Sequence, residues 1–295
     1  MLVKSKMRII KKILKYIGIG LAVFTIGFVI FYIGLIIVVR PSNNRDWSTD
    51  LAVLPYAEFN DNLVAVHNIR NFKYKEVWDY TPAYYDKTFD INKIKEIDFI
   101  VEPFSTLAAH TFVAFGFEDG QYVDISVEVR REKNEWFDAV KGLFRQFELT
   151  YVIADENDVL KLRTNVRKGD VYLYPIKTTK ARMGAMFVDM LKRVNNLKSR
   201  PQFYNTFFSN CTTNIVMHVN HVMPGRIPFS FKFVFPTYSD ELALQRGLID
   251  DSGTIKEVRK RHLVTPIAQN YGNDPDFSLK IRQALKKLSE NKINN

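Results

Sequence analysis

Cysteine occurs once in these 295 residues, at Cys211, and histidine occurs five times. A thiol attacks only as its thiolate, and a thiolate is favoured beside an imidazolium or at the positive start of a helix. Cys211 lies in Phe208-Ser209-Asn210-Cys211-Thr212-Thr213-Asn214. Asn210 is a good helix cap, so Cys211 is expected at the first position of a helix that Met223-Pro224-Gly225 ends near Val222. The N–H groups left free at such a start stabilise a thiolate and can hold an oxyanion, which makes Asn210 and Thr212 orienting or oxyanion candidates. The competing reading is a buried, inert thiol at the start of a structural helix.

A cysteine nucleophile needs a base. His218 follows Cys211 by seven residues on the same expected helix, about 10 Å of rise, so the two cannot touch. The same distance argues against one metal ion bound by Cys211, His218 and His221, which leaves both histidines as packing or surface residues. His67 lies in a strand of unclear face and His262 in Lys260-Arg261-His262, neither with a supporting neighbour. His110 is different. It opens the run HTFVAFGF, which Glu118-Asp119-Gly120 joins to QYVDISVEVR. An Asp-Gly between two alternating runs marks a β-hairpin. Val113, Phe115 and Phe117 then share the core face with Ile125, Val127 and Val129. His110 shares the other, less apolar face with Asp124, Ser126 and Glu128. Counting back from the turn puts residues 128–130 opposite His110. Glu128 is therefore the candidate to orient the imidazole, with Ser126 in reserve. The competing reading is a half-buried strand histidine satisfied by its neighbours. The chemistry needs no metal and no organic cofactor.

The elements that would position these groups read as follows. Strands are expected over 63–74, 96–103, 110–117, 121–130, 158–164 and 170–176. Helices are expected over 135–147, 179–197, 210–222, 238–247 and 277–289. Strands come first and helices later, with little strand–helix alternation. That order predicts an α+β fold, an antiparallel sheet packed on helices. Pro228-Phe229-Ser230-Phe231-Lys232-Phe233-Val234-Phe235-Pro236 sets four phenylalanines at period two. In a core strand the rings would be buried together; exposed, they would suit acyl chains or a membrane surface.

Ahead of all this lies an apolar run, Tyr16 to Val39, of 24 residues without a charge. At helical rise it spans roughly 36 Å, enough to cross a bilayer core. It is longer than a signal-peptide core, and Val38-Val39-Arg40-Pro41 offers no small-residue cleavage site, so a retained anchor is expected. Lys4, Lys6, Arg8, Lys11, Lys12 and Lys15 precede the run and only Arg40 and Arg45 follow closely. The positive-inside rule then keeps the N-terminus in the cytoplasm and exports the rest of the chain. Of the net charge of +10, seven positive charges lie in residues 1–40, so the exported part has an ordinary balance and nucleic acid is excluded as a partner. The expected organisation is a basic cytoplasmic segment (1–15), an anchor (16–39), a linker into the domain (40–60), one domain (61–250) and a polar, partly helical tail (251–295). A single exported cysteine can form no internal disulfide, so it is either buried or used.

A strand histidine, a polar or acidic partner on the next strand, and Asn-Cys opening a later helix resemble the order found in circularly permuted papain-like, NlpC-related enzymes. His110-Thr111-Phe112, Ser126-Val127-Glu128-Val129-Arg130, Asp170-Val171-Tyr172-Leu173-Tyr174-Pro175, and Phe203-Tyr204-Asn205 ahead of Asn210-Cys211-Thr212-Thr213 resemble more closely the family of the Lnb N-terminal periplasmic domain, over roughly residues 45–245. The resemblance implies a permuted papain-like fold and thiol acyl chemistry, Lnb being a bacterial lipoprotein N-acyltransferase. Cys211 would be the nucleophile and His110 the base; the role of Glu128 rests on the hairpin count. Lnb has further spans after this domain, whereas the run at 16–39 is the one span in this sequence. The implied partners are inner-membrane lipid, a phospholipid acyl donor and a lipoprotein or peptide acceptor. Two other readings of the same residues are an amidase or peptidase acting on the cell envelope, and a non-catalytic envelope domain that binds a partner.

Overall fold

Alternation of side chains along the central strands divides the core into two layers. Val113, Phe115, Ile125, Val127 and Ile153 belong to one buried cluster, while Phe112, Ala114, Val152 and Ala154 belong to the other. Successive residues of a strand point to opposite faces, so a strand buried on both sides reads as a continuous apolar run. The expected core face, from Val113 to Val129, is confirmed in the first cluster. The opposite face, expected to be the poorer one, is covered as well.

The computed structural model describes residues 2–293, and side chains from 6 to 288. Met1 of the basic segment, and Asn294 and Asn295 of the tail, lie outside the described residues. Two compact units divide at Pro41 and Ser42. The first is helix α1 (Leu2–Val38), which continues back from the apolar run through most of the basic segment. Among the described residues it is the one helix long and apolar enough to cross a membrane.

The second unit is α+β. Its strands are β1 (Tyr56–Asn60), β2 (Leu63–Arg70), the short pair β3 (Lys73–Tyr74) and β4 (Tyr80–Thr81), then β5 (Tyr84–Asp90), β6 (Ile94–Pro103), β7 (Ala109–Phe117), β8 (Tyr122–Arg130) and β9 (Glu148–Asp155). Helix α2 (Glu156–Lys161), strand β10 (Tyr172–Pro175), α3 (Lys180–Ser199), α4 (Cys211–Val222) and α5 (Phe231–Val234) follow. The chain closes with α6 (Ser239–Gln245), α7 (Ile255–His262), α8 (Thr265–Asn270) and α9 (Phe277–Ile293). The sheet order is β1-β2-β9-β8-β7-β6-β10, with β5 also on β2. Every pairing is antiparallel except β2 with β9. Residues of α3 and α4 belong to the first core layer, and residues of α2, α8 and α9 to the second.

Several expectations are corrected. Residues 135–147 form a loop with one tight turn at Lys141–Leu143, not an amphipathic helix. Trp136 and Val140 are exposed, and Asn134 and Arg145 take positive φ, so the apolar spacing there marks no buried face. Residues 158–164 are not a strand. Asp155 caps α2 through Asn157, and the chain then makes a π-helical turn over Leu162–Val166. Its apolar residues Val159, Leu160 and Leu162 are buried at helical spacing. Residues 231–234 are a short helix capped by Ser230 rather than a strand; Phe233 is buried, while Phe229 and Phe231 are exposed. The segment expected to be a linker joins the domain from Ser42, whose N–H donates to Glu148, and Trp47 is buried beneath the Arg130 guanidinium.

The segment expected to be a polar tail is built into the second core layer. Val264, Ile267, Ala268, Phe277 and Ile281 are all buried there, and Val258 is buried in the first layer. They are spread thinly among charged residues, which hides them from a composition reading. Arg282 of α9 reaches through this layer to Asp98 (2.8 Å) and to both oxygens of Glu156 (2.6 and 2.9 Å). All three side chains are nearly inaccessible to solvent. Removing the cation strands two buried carboxylates, so Arg282→Met is expected to cost about 3–5 kcal/mol. Urea denaturation against the unmodified protein measures it, and a loss below about 1 kcal/mol would mean that the cluster is solvated.

Candidate active site

Helix α4 starts as its sequence demands. The Asn210 side chain accepts from the Thr213 N–H at 2.9 Å, and the Thr213 hydroxyl accepts from the Asn210 N–H at 2.8 Å. This reciprocal cap places Cys211 at the first helical position. Asn210 has no spare donor for a substrate, because its amide nitrogen is bonded to the carbonyls of Thr206 (2.8 Å) and Val234 (3.2 Å). That corrects its standing as an oxyanion donor; it is the clamp that fixes the helix start. Thr212 is buried, its hydroxyl 3.0 Å from that of Thr111 on β7, and that contact pins α4 to the strand carrying His110. The Cys211 and Thr212 N–H groups are first-turn donors that the cap does not use.

His110 stands next to Thr111 near the start of β7. Registered pairing of β7 with β8 runs from Phe112↔Ser126 to Gly116↔Tyr122, a register that places His110 opposite Glu128. The hairpin count from Asp119-Gly120 therefore agrees with the observed register. His110 Nε2 lies 2.7 Å from the Ser126 hydroxyl and 3.2 Å from Glu128 Oε1, and Ser126 itself donates to Glu128 at 2.8 Å. Both named partners thus hold the same ring nitrogen. His110 lies near Cys211 across the 101 residues between them, close enough for each to shift the other's protonation. Around the sulfur lie the Ala109 carbonyl at 3.7 Å and the Thr212 hydroxyl at 3.9 Å, with Thr111 also close by. Cys211 is only 7 % exposed.

The electrostatics favour an ion pair. Burial pulls the His110 imidazolium down, but the Glu128 carboxylate and the bond to Cys211 outweigh it, and its pKa is pushed up to about 9. Burial pushes the Cys211 thiol up, yet the bond and charge of His110, with the Thr111 contacts, bring it below its ordinary value. Burial likewise pushes Glu128 up, while His110, Arg163 and Ser126 hold it well below the usual carboxylate range.

Sequence reasoning missed Arg163 and Glu102. Arg163 is buried and reaches Glu128 Oε1 at 3.2 Å and Glu102 Oε2 at 3.0 Å, with its guanidinium over the Phe112 ring. Glu102 lies opposite His110 on the other flanking strand. Arg163 therefore fixes the carboxylate that fixes the imidazole. It sits in the π-helical turn after α2, a form that sequence periodicity does not signal and that recurs at functional sites. Asp124 shares the His110 face but is fully buried with neither oxygen bonded among the described residues, and burial raises its pKa well above the usual range. It takes no part in holding His110.

The remaining histidines lie elsewhere. His262 bonds the Leu173 carbonyl and Asp251, His67 bonds Asp86, and His218 and His221 both face Asp189.

The model of one family, the Lnb N-terminal periplasmic domain, matches residues 80–237. The match leaves out α1 and β1 to β3 at one end and α6 to α9 at the other. No curated protein and no solved structure gives a significant match to the chain. A periplasmic domain family and one apolar N-terminal helix together fit a single-pass membrane protein. The matched stretch is more than half of the chain and holds His110, Ser126, Glu128, Arg163 and Cys211, and by it the chain belongs to the family of the Lnb N-terminal periplasmic domain.

Proposed function

We propose that this protein is a membrane-anchored thiol enzyme that transfers an acyl group through Cys211. The observation that carries the reading is the meeting of the chain's one cysteine, at a capped helix start, with a histidine whose Nε2 is held by Ser126 and Glu128. Packing alone gives no reason for that pairing among five histidines. The order of the parts, histidine strand before cysteine helix, supports the permuted papain-like arrangement that the family resemblance implies.

In the proposed cycle His110 holds the proton of Cys211 and the thiolate attacks an ester or amide carbonyl. The negative charge that forms on the carbonyl oxygen is met by the Cys211 and Thr212 N–H groups. His110 returns the proton to the leaving group, and a thioester joins the acyl chain to Cys211. The same imidazole then takes a proton from the incoming amine, hydroxyl or water, which releases the acyl group and the thiolate. Ser126, Glu128 and Arg163 position the ring.

Two features support a lipid acyl donor. A nearly apolar cavity of about 80 Å³ lies between α3, α4 and the sheet, and Thr212, the residue after the nucleophile, lines it with Phe99, Val113, Ile215 and Phe233. Exposed Phe207 and Phe208 sit a few residues before Cys211, and exposed Phe229 and Phe231 pack edge to face just before the buried Phe233. A phospholipid donor and a lipoprotein N-terminus as acceptor fit these features. Incubating the full chain in micelles with acyl-labelled phospholipid and, separately, with muropeptides tests this. Transfer of label to an amine acceptor is expected. Cleavage of muropeptides without use of phospholipid would instead make the protein an envelope amidase or peptidase.

Rate should depend on pH in two limbs. The active pair is thiolate with imidazolium, so rate climbs as pH rises through the lowered pKa of Cys211. It falls again as His110 deprotonates near pH 9. The stability gained from the His110–Glu128 pair follows the same sign: it is complete below the ordinary histidine value of 6.5 and is lost through about 9. Single-turnover rates across pH measure the limbs; an alkaline limb near 6.5 would mean that Glu128 does not support the imidazolium.

Orientation has its own test. With the N-terminus in the cytoplasm and the domain in the periplasm, a reporter active only outside the cytoplasm should work when fused after Asn295. Activity of a cytoplasmic reporter there would reverse the topology.

A further inference from the structure

Helices α3 and α4 carry a second cluster of chemically competent side chains, away from Cys211. Asp189 Oδ2 lies 2.7 Å from His218 Nδ1 and 3.1 Å from His221 Nδ1. One ligand atom from each residue falls within 4.8 Å of the others. His218 and His221 are three residues apart and so project from one side of α4. A tetrahedral zinc site holds its ligands at roughly 2.0–2.2 Å from the metal, hence ~3.3 Å from one another. Asp189 Oδ2 is within about 0.6 Å of that spacing from His218 and about 0.2 Å from His221.

Three observations favour a ligand set over a mere hydrogen-bonded trio. First, His218 Nε2 is 2.7 Å from the Tyr151 hydroxyl, which in turn donates to Asn214 Oδ1 at 3.4 Å. A hydrogen bond on the distal nitrogen is how proteins orient metal-bound imidazoles. Second, the His218 side chain is buried and held from both ends, by Tyr151 and by Asp189, so that one ligand is already fixed in place. Third, the cluster is reachable: Asp189 and His221 line an open cleft between the helices, and the His221 side chain is 56 % exposed. A fourth coordination position would face that cleft, where Lys192 also lies.

We propose that Asp189, His218 and His221 form a binding site for one first-row divalent metal ion, with zinc the best match to two imidazoles and a carboxylate. The ion clips α3 to α4, the helix whose start carries Cys211. His218 lies about 10 Å of helical rise from Cys211, so the ion is a structural clip and touches no reacting atom. The proposal is independent of acyl transfer.

Cobalt(II) absorption tests it directly, because four-coordinate cobalt gives visible bands that depend on its ligands. The probe is the full Cys211→Ser chain in micelles, purified without a polyhistidine tag and stripped with chelator, so that the thiol cannot bind the metal. Saturation at one equivalent of cobalt, displacement by zinc and a higher melting temperature with zinc are expected. His221→Ala, at an exposed position, should weaken binding about tenfold or more, and His67→Ala should leave it unchanged. Tyr151→Phe should weaken it by about 10- to 100-fold. No saturable cobalt spectrum, or the same affinity in the folded His221→Ala protein, would overturn the site.

Discussion

Replacing Cys211 with serine is expected to lower acyl transfer by about 10⁴- to 10⁶-fold, the scale seen when a nucleophile is removed from a unit that works as one. The change is nearly isosteric. A serine hydroxyl finds the Ala109 carbonyl and the Thr212 hydroxyl already beside it, so the fold should stand. Melting curves within about 2 °C of the unmodified protein, with no label transferred from phospholipid, would locate the defect in chemistry. Turnover surviving in the serine variant would place the reaction elsewhere.

His110→Ala should be as severe for turnover, again about 10⁴-fold or more, and it carries a second readout. His110 is what holds the Cys211 thiol below its ordinary range against the push of burial. Without it, burial acts alone and the thiol rises. Alkylation of Cys211 at neutral pH in the folded protein should therefore slow by about tenfold or more. A structural histidine would alter stability and leave the alkylation rate of a buried thiol low in both proteins. If the unmodified protein alkylates only after denaturation, Cys211 is an inert core residue and the domain is a scaffold.

The parts of the site that were legible in the sequence are those set by local rules. Asp119-Gly120 fixes a tight turn, and a tight turn fixes register, so His110 could be matched with Glu128 by counting. Asn210 could be read as a cap because asparagine is a favoured residue at that position; its reciprocal bonds with Thr213 bear this out. Arg163 was not legible, because a π-helical turn shifts the phase of the periodicity on which sequence reading depends. Its partner Glu102 is 61 residues away in sequence, so no local pattern joins them. The second core layer was hidden for a related reason. Its helices supply a few buried side chains each, among many charges, and only their sum covers the sheet. Residues 135–147 failed in the opposite direction: aromatic residues at helical spacing were exposed in a loop, Trp136 packing edge to face with Trp78.

The fold also explains why the site can be held so tightly. His110 and Ser126 lie on adjacent central strands, and Cys211 on a helix clamped by Asn210 and tied to β7 through Thr111 and Thr212. Sites built on strands and helices hold geometry better than sites on loops. Only Arg163 stands on an irregular turn, and its guanidinium is itself fixed by Glu102, Glu128 and the Val159 carbonyl.

The central claim is that Cys211 carries the acyl group. Mass spectrometry of the Cys211 peptide, from protein purified out of membranes and digested at mildly acidic pH, measures it directly. A fatty-acyl mass on Cys211, removed by neutral hydroxylamine and absent from the Cys211→Ser protein, is the expected result. An unmodified Cys211 peptide, both as purified and after incubation with phospholipid and no acceptor, would contradict the account.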